Sequence, residues 1–95
     1  MTINRSKAIK SLQQKGFRKK SSTHHIYFHH EFEGKETGAY TYVSHSKQKK
    51  DISGILLRSM RKQLYLDSIR QAVDLLKCPM DGDTYNSIIR GKAGF

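Results

Sequence analysis

The spacing of apolar positions changes several times along the chain, and each change marks an element. Ala8, Ile9 and Leu12 fall on one helical stripe, with Lys7, Lys10 and Lys15 mostly off it. Asn4 or Ser6 can cap that helix, and Gly16 stops it. From Phe17 the period shortens to two. FRKKS (17–21) predicts a short strand with a basic exposed side. HHIYFHHEF (24–32) predicts a longer strand in which Ile26 and Phe28 face inward while His25, Tyr27 and His29 point the other way. EGKETG (33–38) reads as a polar turn region, and AYTYVSH (39–45) then places Thr41 and Val43 inward and Tyr40 and Tyr42 outward.

Helical spacing returns after Asp51 or Ser53, where Ile52, Leu56, Met60 and Leu64 share an arc and Arg58, Arg61, Lys62 and Tyr65 occupy the opposite side. A third amphipathic helix begins at Asp67, with Ser68 and Gln71 placed for a capping box and Ile69, Ala72, Val73 and Leu76 spaced i, i+3, i+4 and i+7; Pro79 bounds it. A short last helix, capped by Asp81 or Asp83 and stopped by Gly91, gathers Tyr85, Ile88 and Ile89 on one side. The pattern therefore predicts an α+β chain, α-β-β-β-α over residues 1–66, with a C-terminal helical hairpin over 67–95 that is too short to stand alone. That hairpin either docks on the domain or binds a partner. The helices cover one face of an antiparallel sheet, and the other face carries tyrosines, histidines and lysines.

Composition adds four constraints. At 95 residues and 36% apolar, the chain supports one domain with a modest core. It has no apolar run long enough to span a membrane and no leader-like N-terminus, so a cytoplasmic protein without a membrane partner is expected. Its single cysteine, Cys78, has no internal disulfide partner and reads as a small buried side chain. The fourth constraint is charge: eighteen Lys and Arg against eight Asp and Glu give +10. Fourteen of the basic residues but only four of the acidic ones fall before residue 67, so the first two thirds carry the whole excess. Such a surface draws a polyanion or an acidic protein.

Four of the five histidines lie in SSTHHIYFHH (21–30). A shared metal is disfavoured by strand geometry: His24 and His25 point to opposite faces, and His25 and His29 are about 13 Å apart on one face. No metal or other cofactor is expected. Acid-base work remains open to them, because imidazole titrates near neutrality and can exchange protons at a phosphodiester, with Lys and Arg stabilising charge on its oxygens. The plain alternative is that they decorate a solvated strand.

SKAIKSLQQKGF, SSTHHIYFHH, YTYVSHS and LLRSMRKQL, in that order over residues 6–66, resemble the HicA (YcfA-like) toxins of prokaryotic toxin-antitoxin modules. The tail DLLKCPMDGDTYNSII is similar to an extension carried by a subset of them. The resemblance implies a double-stranded-RNA-binding-domain-like fold, ribosome-independent mRNA cleavage and neutralisation by a HicB-type antitoxin. It places the catalytic histidine at His24, where Ser22 and Thr23 stand in place of the family's Gly-Ser, with His25 as the competing position. On that basis Lys19, Lys20, Arg58, Arg61 and Lys62 are candidates for RNA phosphate contacts, while His29, His30 and His45 are expected to be strand surface. Tyr27, Tyr40 and Tyr42 either stack on unpaired bases or stiffen the sheet as cross-strand partners. The alternatives are a non-catalytic RNA-binding module, or a catalytically weak subunit that mainly binds an acidic antitoxin.

Overall fold

The computed structural model describes residues 3–44, 51–77 and 79–93. Its elements run β1 (Ile3–Asn4), α1 (Arg5–Gln14), β2 (Phe17–Ser21), β3 (His25–Phe32), β4 (Lys35–Ser44), β5 (Asp51–Ile52), α2 (Gly54–Gln63), α3 (Ile69–Leu76) and α4 (Gly82–Ile89). The fold is α+β, with a three-stranded antiparallel sheet in the order β2-β3-β4 and a short β1-β5 ladder. His45, Lys47, Lys49, Lys50 and Cys78 lie outside the described residues.

Local chemistry sets the helix ends. The side chains of Asn4, Ser53, Ser68 and Asp81 each accept the backbone N–H three residues on, at Lys7, Leu56, Gln71 and Thr84. Each satisfies a donor that the first helical turn would otherwise leave open. Gln71 also accepts the N–H of Asp67 at 2.7 Å, closing the entry to α3. Gly16 ends α1 at φ +93, a left-handed conformation that glycine adopts without Cβ strain.

The turn expected over residues 33–38 is shorter than its composition suggests. Only Glu33 and Gly34 form it, at φ 52 and 80, as a two-residue hairpin loop with both residues left-handed. Lys35 to Gly38 are already strand. Gly38 sits at φ +94 in a bulge, where the β3-β4 register shifts from His29↔Tyr40 to Glu31↔Glu36. β4 gains two residues there. Because the insertion is even, no side chain changes face.

Between the sheet and the helices lies one core. Phe17, Phe28, Ala39 and Val43 from the sheet meet Leu12, Leu57, Met60, Leu64, Ala72, Leu75, Leu76, Tyr85 and Ile89 from all four helices. Two expectations for α2 change. Ile52 is buried but belongs to β5, because Ser53 delays the helix, and Leu57 takes the inner position that Leu56 was expected to hold. Leu56 is 43% exposed at the edge of the stripe.

The C-terminal segment docks on the rest through buried polar groups as well as apolar ones. Ser11 Oγ donates to the carbonyls of Leu75 and Lys77 at 2.7 Å each, and Lys15 Nζ donates to the same two oxygens. Lys15 was expected on the polar side of α1; it is buried instead, its cation meeting the carbonyls at the end of α3. Tyr85 Oη donates to Leu64 O at 3.0 Å, and burial pushes its phenol well above the ordinary value, so the hydroxyl stays a donor.

His30 is the second correction of this kind. Expected as strand surface, it is fully buried, because it shares the inward parity of Ile26 and Phe28. Its Nδ1 lies 2.8 Å from Thr37 Oγ1 and its Nε2 lies 2.7 Å from Asn86 Oδ1, while its ring packs on Phe17 and edge-on to Tyr85. One imidazole thus ties the bulge of β4 to α4. Burial pushes its pKa below 6.5, partly offset by the bond to Asn86 and the charge of Glu31.

Two outcomes follow. Leu75→Ala removes a fully buried side chain and should cost about 2–5 kcal/mol in urea unfolding. Ile55→Ala, at a position 78% exposed, should change stability by less than about 0.5 kcal/mol. Equal effects would contradict the packing. A proton taken up at His30 on unfolding favours the unfolded chain, so this residue's contribution is complete above its ordinary value of 6.5 and is lost as pH falls toward its lower folded value. Residue-resolved NMR titration should give His30 a midpoint below 6.5, and a midpoint at or above it contradicts the burial.

Candidate nucleic-acid interface

The β2-β3 hairpin puts His24 in its connecting loop and His25 at the first position of β3. Ser22, Thr23 and His24 connect the strands, and neither Thr23 nor His24 takes a positive φ. The loop is closed by Ser22 instead: its N–H donates to His25 O at 2.8 Å, and its hydroxyl donates to the same oxygen at 3.0 Å while accepting the His25 N–H at 3.3 Å. Ser22 is therefore the clasp of this turn. His24 is exposed in the loop, and His25 is half-buried at the first position of β3.

His25 pairs across the ladder with Ser44. The Ser44 carbonyl accepts Arg5 Nη1 at 2.7 Å, which draws the first residue of α1 to the same end of the sheet. The β1-β5 pairing, Asn4 with Asp51, brings the start of α2 there too. Hairpin tip, the end of β4 and a guanidinium thus meet. Sequence alone did not single out Arg5, because nothing in a basic N-terminal segment distinguishes one cation from its neighbours.

Strand parity builds the outer face in rows. Arg18, His29 and Tyr40 form one row, and Lys20, Tyr27 and Tyr42 form the next. Rings run continuously across it: His25 meets Tyr42 edge-on at 4.9 Å, Tyr42 meets Tyr27 at 5.4 Å, Tyr27 stacks toward His29 at 6.3 Å, and His29 stacks on Tyr40 at 5.7 Å. Tyr40 is 40% exposed and Tyr42 36%. The cations along β2 are held loosely. Arg18 lies 3.6 Å from Glu31, and Lys20 reaches over β3 to Glu36 at 3.1 Å, where its ammonium holds the Glu36 carboxyl below the ordinary range. Both pairs are open to solvent, where such bridges contribute little.

The predicted site residues divide between two surfaces. Lys20 and His25 share the outer face, with His24 at its tip. Lys19 opposes Phe28 and so lies on the helix-facing side of β2, exposed beyond the core. Arg58 and Lys62 are exposed on α2, and Arg61 is half-buried, donating to Leu66 O at 3.1 Å. Since α2 packs on the inner face through Thr41 and Gln63 (2.8 Å), its cations are not gathered with Lys20 and His25 on the outer face. Arg18 was missed although it alternates with Lys20, a signal the period-two pattern already contained. Among the described residues, no group of three or more His, Cys, Asp or Glu side chains could hold a metal ion, and no helix is long and apolar enough to cross a membrane. Comparison with protein-family models, curated proteins and solved structures finds no match for this chain.

Proposed function

We propose that this chain is a toxin-type mRNA endoribonuclease of the HicA kind, built on a double-stranded-RNA-binding-domain-like α-β-β-β-α core and restrained by a HicB-type antitoxin. The motifs of residues 6–66 support this reading, as does the α+β order of elements that carries them. The observation that carries it is the hairpin tip, where exposed His24 and half-buried His25 stand together at the end of the sheet that also holds Arg5 and faces Lys20.

RNA supplies its own nucleophile. A histidine accepts the proton of a 2′-hydroxyl as that oxygen attacks the adjacent phosphorus, and a proton is delivered to the departing 5′-oxygen. The products are a 2′,3′-cyclic phosphate and a free 5′-hydroxyl. His24 is the first choice for the transfer, because the loop leaves its ring open to a bound phosphodiester, and His25 is the second. Arg5 and Lys20 supply the positive charge that favours the more negative transition state. A net charge of +10 matches both RNA and an acidic antitoxin, which inhibits by covering this end. The ring array of the outer face favours a second reading, a module that grips RNA and cleaves nothing.

Labelled mRNA incubated with the purified protein in EDTA separates the two. Cleavage should persist in chelator, leave cyclic phosphate ends and fall about 10²–10⁴-fold in His24→Ala. His25→Ala shows whether its neighbour shares the work. Intact RNA with wild-type protein, or equal cleavage by wild type and the His24→Ala/His25→Ala double variant, would contradict the enzyme.

A further inference from the structure

Neither the core nor the proton transfer accounts for the outer face of the sheet. Three of the chain's five tyrosines and two of its histidines stand there as one array, at the price of leaving large rings in water. We infer that this face binds unpaired RNA, with successive bases stacking on Tyr40 and Tyr42 and the backbone running along Arg18 and Lys20 toward the hairpin tip. The inference rests on the proposed function for its choice of RNA, and it adds the form in which the RNA is held.

Geometry favours a single strand over a duplex. Tyr40 and Tyr42 are two residues apart on one strand, so their rings rise about 7 Å from each other on the same face, within one extended nucleotide step. A base offers its flat surface to a ring only when it is unstacked, and inside a duplex both surfaces are already covered. Arg18 and Lys20 flank the rings on β2, and their bonds to Glu31 and Glu36 are exposed enough to be exchanged for phosphate. Those two glutamates sit at the far end, beyond the bulge. They disfavour phosphate there and set the strand's course toward His25, Ser44 and Arg5. A second copy of the chain is the poorer occupant, because two faces of a protein carrying +10 repel as they approach.

A non-cleavable probe keeps this proposal separate from catalysis. Fluorescence anisotropy of a labelled 2′-O-methyl RNA 12-mer, which lacks the attacking hydroxyl, should show binding by wild type that weakens about tenfold or more in Tyr40→Ala/Tyr42→Ala. The Tyr40→Phe/Tyr42→Phe pair should bind as wild type does. The 12-mer should also quench wild-type tyrosine emission, which is undiluted because the chain has no tryptophan. The proposal is overturned if the alanine pair binds as tightly as wild type, if a duplex of the same sequence binds more tightly than the single strand, or if emission changes with protein concentration alone, which would assign the face to a second copy. Loss of cleavage with this binding intact would remove the enzyme reading and leave the face assigned.

Discussion

The pleat of β3 is the constraint on which the molecule depends. Successive side chains must point to opposite faces, so eight residues sort themselves into an inner set that includes Ile26, Phe28 and His30 and an outer set that includes His25, Tyr27 and His29. A slip of one residue would drive the aromatic-histidine set into the core and expose Phe28. Three features hold the register: the tight Glu33-Gly34 turn, the Ser22 clasp and the two-residue bulge at Gly38, which lengthens β4 without exchanging its faces. The core and the outer surface are therefore products of one alternation.

His30 links that alternation to the C-terminal helices. An imidazole in the core must satisfy two ring nitrogens, and Thr37 from the bulge and Asn86 from α4 do so. Ser11 and Lys15 join α1 to the end of α3 in the same way, and Tyr85 joins α4 to the end of α2. Among the described residues no buried side-chain nitrogen or oxygen lacks a partner. The segment after Leu66 thus braces the sheet from its helical side. The opposite side, with its rings and loosely paired cations, is left to solvent.

Much of this was legible in the sequence. The period-two stretches gave the faces of β3 and β4, and each helix start falls on one of the cap candidates the sequence offered, Asn4 over Ser6, Ser53 over Asp51, Ser68, and Asp81 over Asp83. What composition obscured was where polar residues serve the interior. His30 and Lys15 look like surface residues until their partners are known; Thr37 is 7 positions from His30, but Asn86 is 56 away, and the carbonyls that hold Lys15 are 60 and 62 away. Lys35 to Gly38 look like a turn because glycine marks bulges as well as reversals. For the site, sequence placed His25 on the outer face but took Lys19 and Lys20 together, although strand parity sends them to opposite sides, and could not separate them from the cations of α2, because helix and strand patterns carry no record of which side of a sheet a later helix covers. Arg5 became visible only through its bond to Ser44 O.

The gathering of the rings with Arg18 and Lys20 on one side of the sheet makes a spatial claim, and backbone chemical-shift mapping tests it most directly. On titration with a single-stranded RNA lacking its 2′-hydroxyls, the account predicts the largest shifts at Thr23 to Tyr27 and at Tyr40 to Ser44, with α2 little changed. Shifts centred instead on Arg58 to Lys62, with the outer face silent, would contradict it.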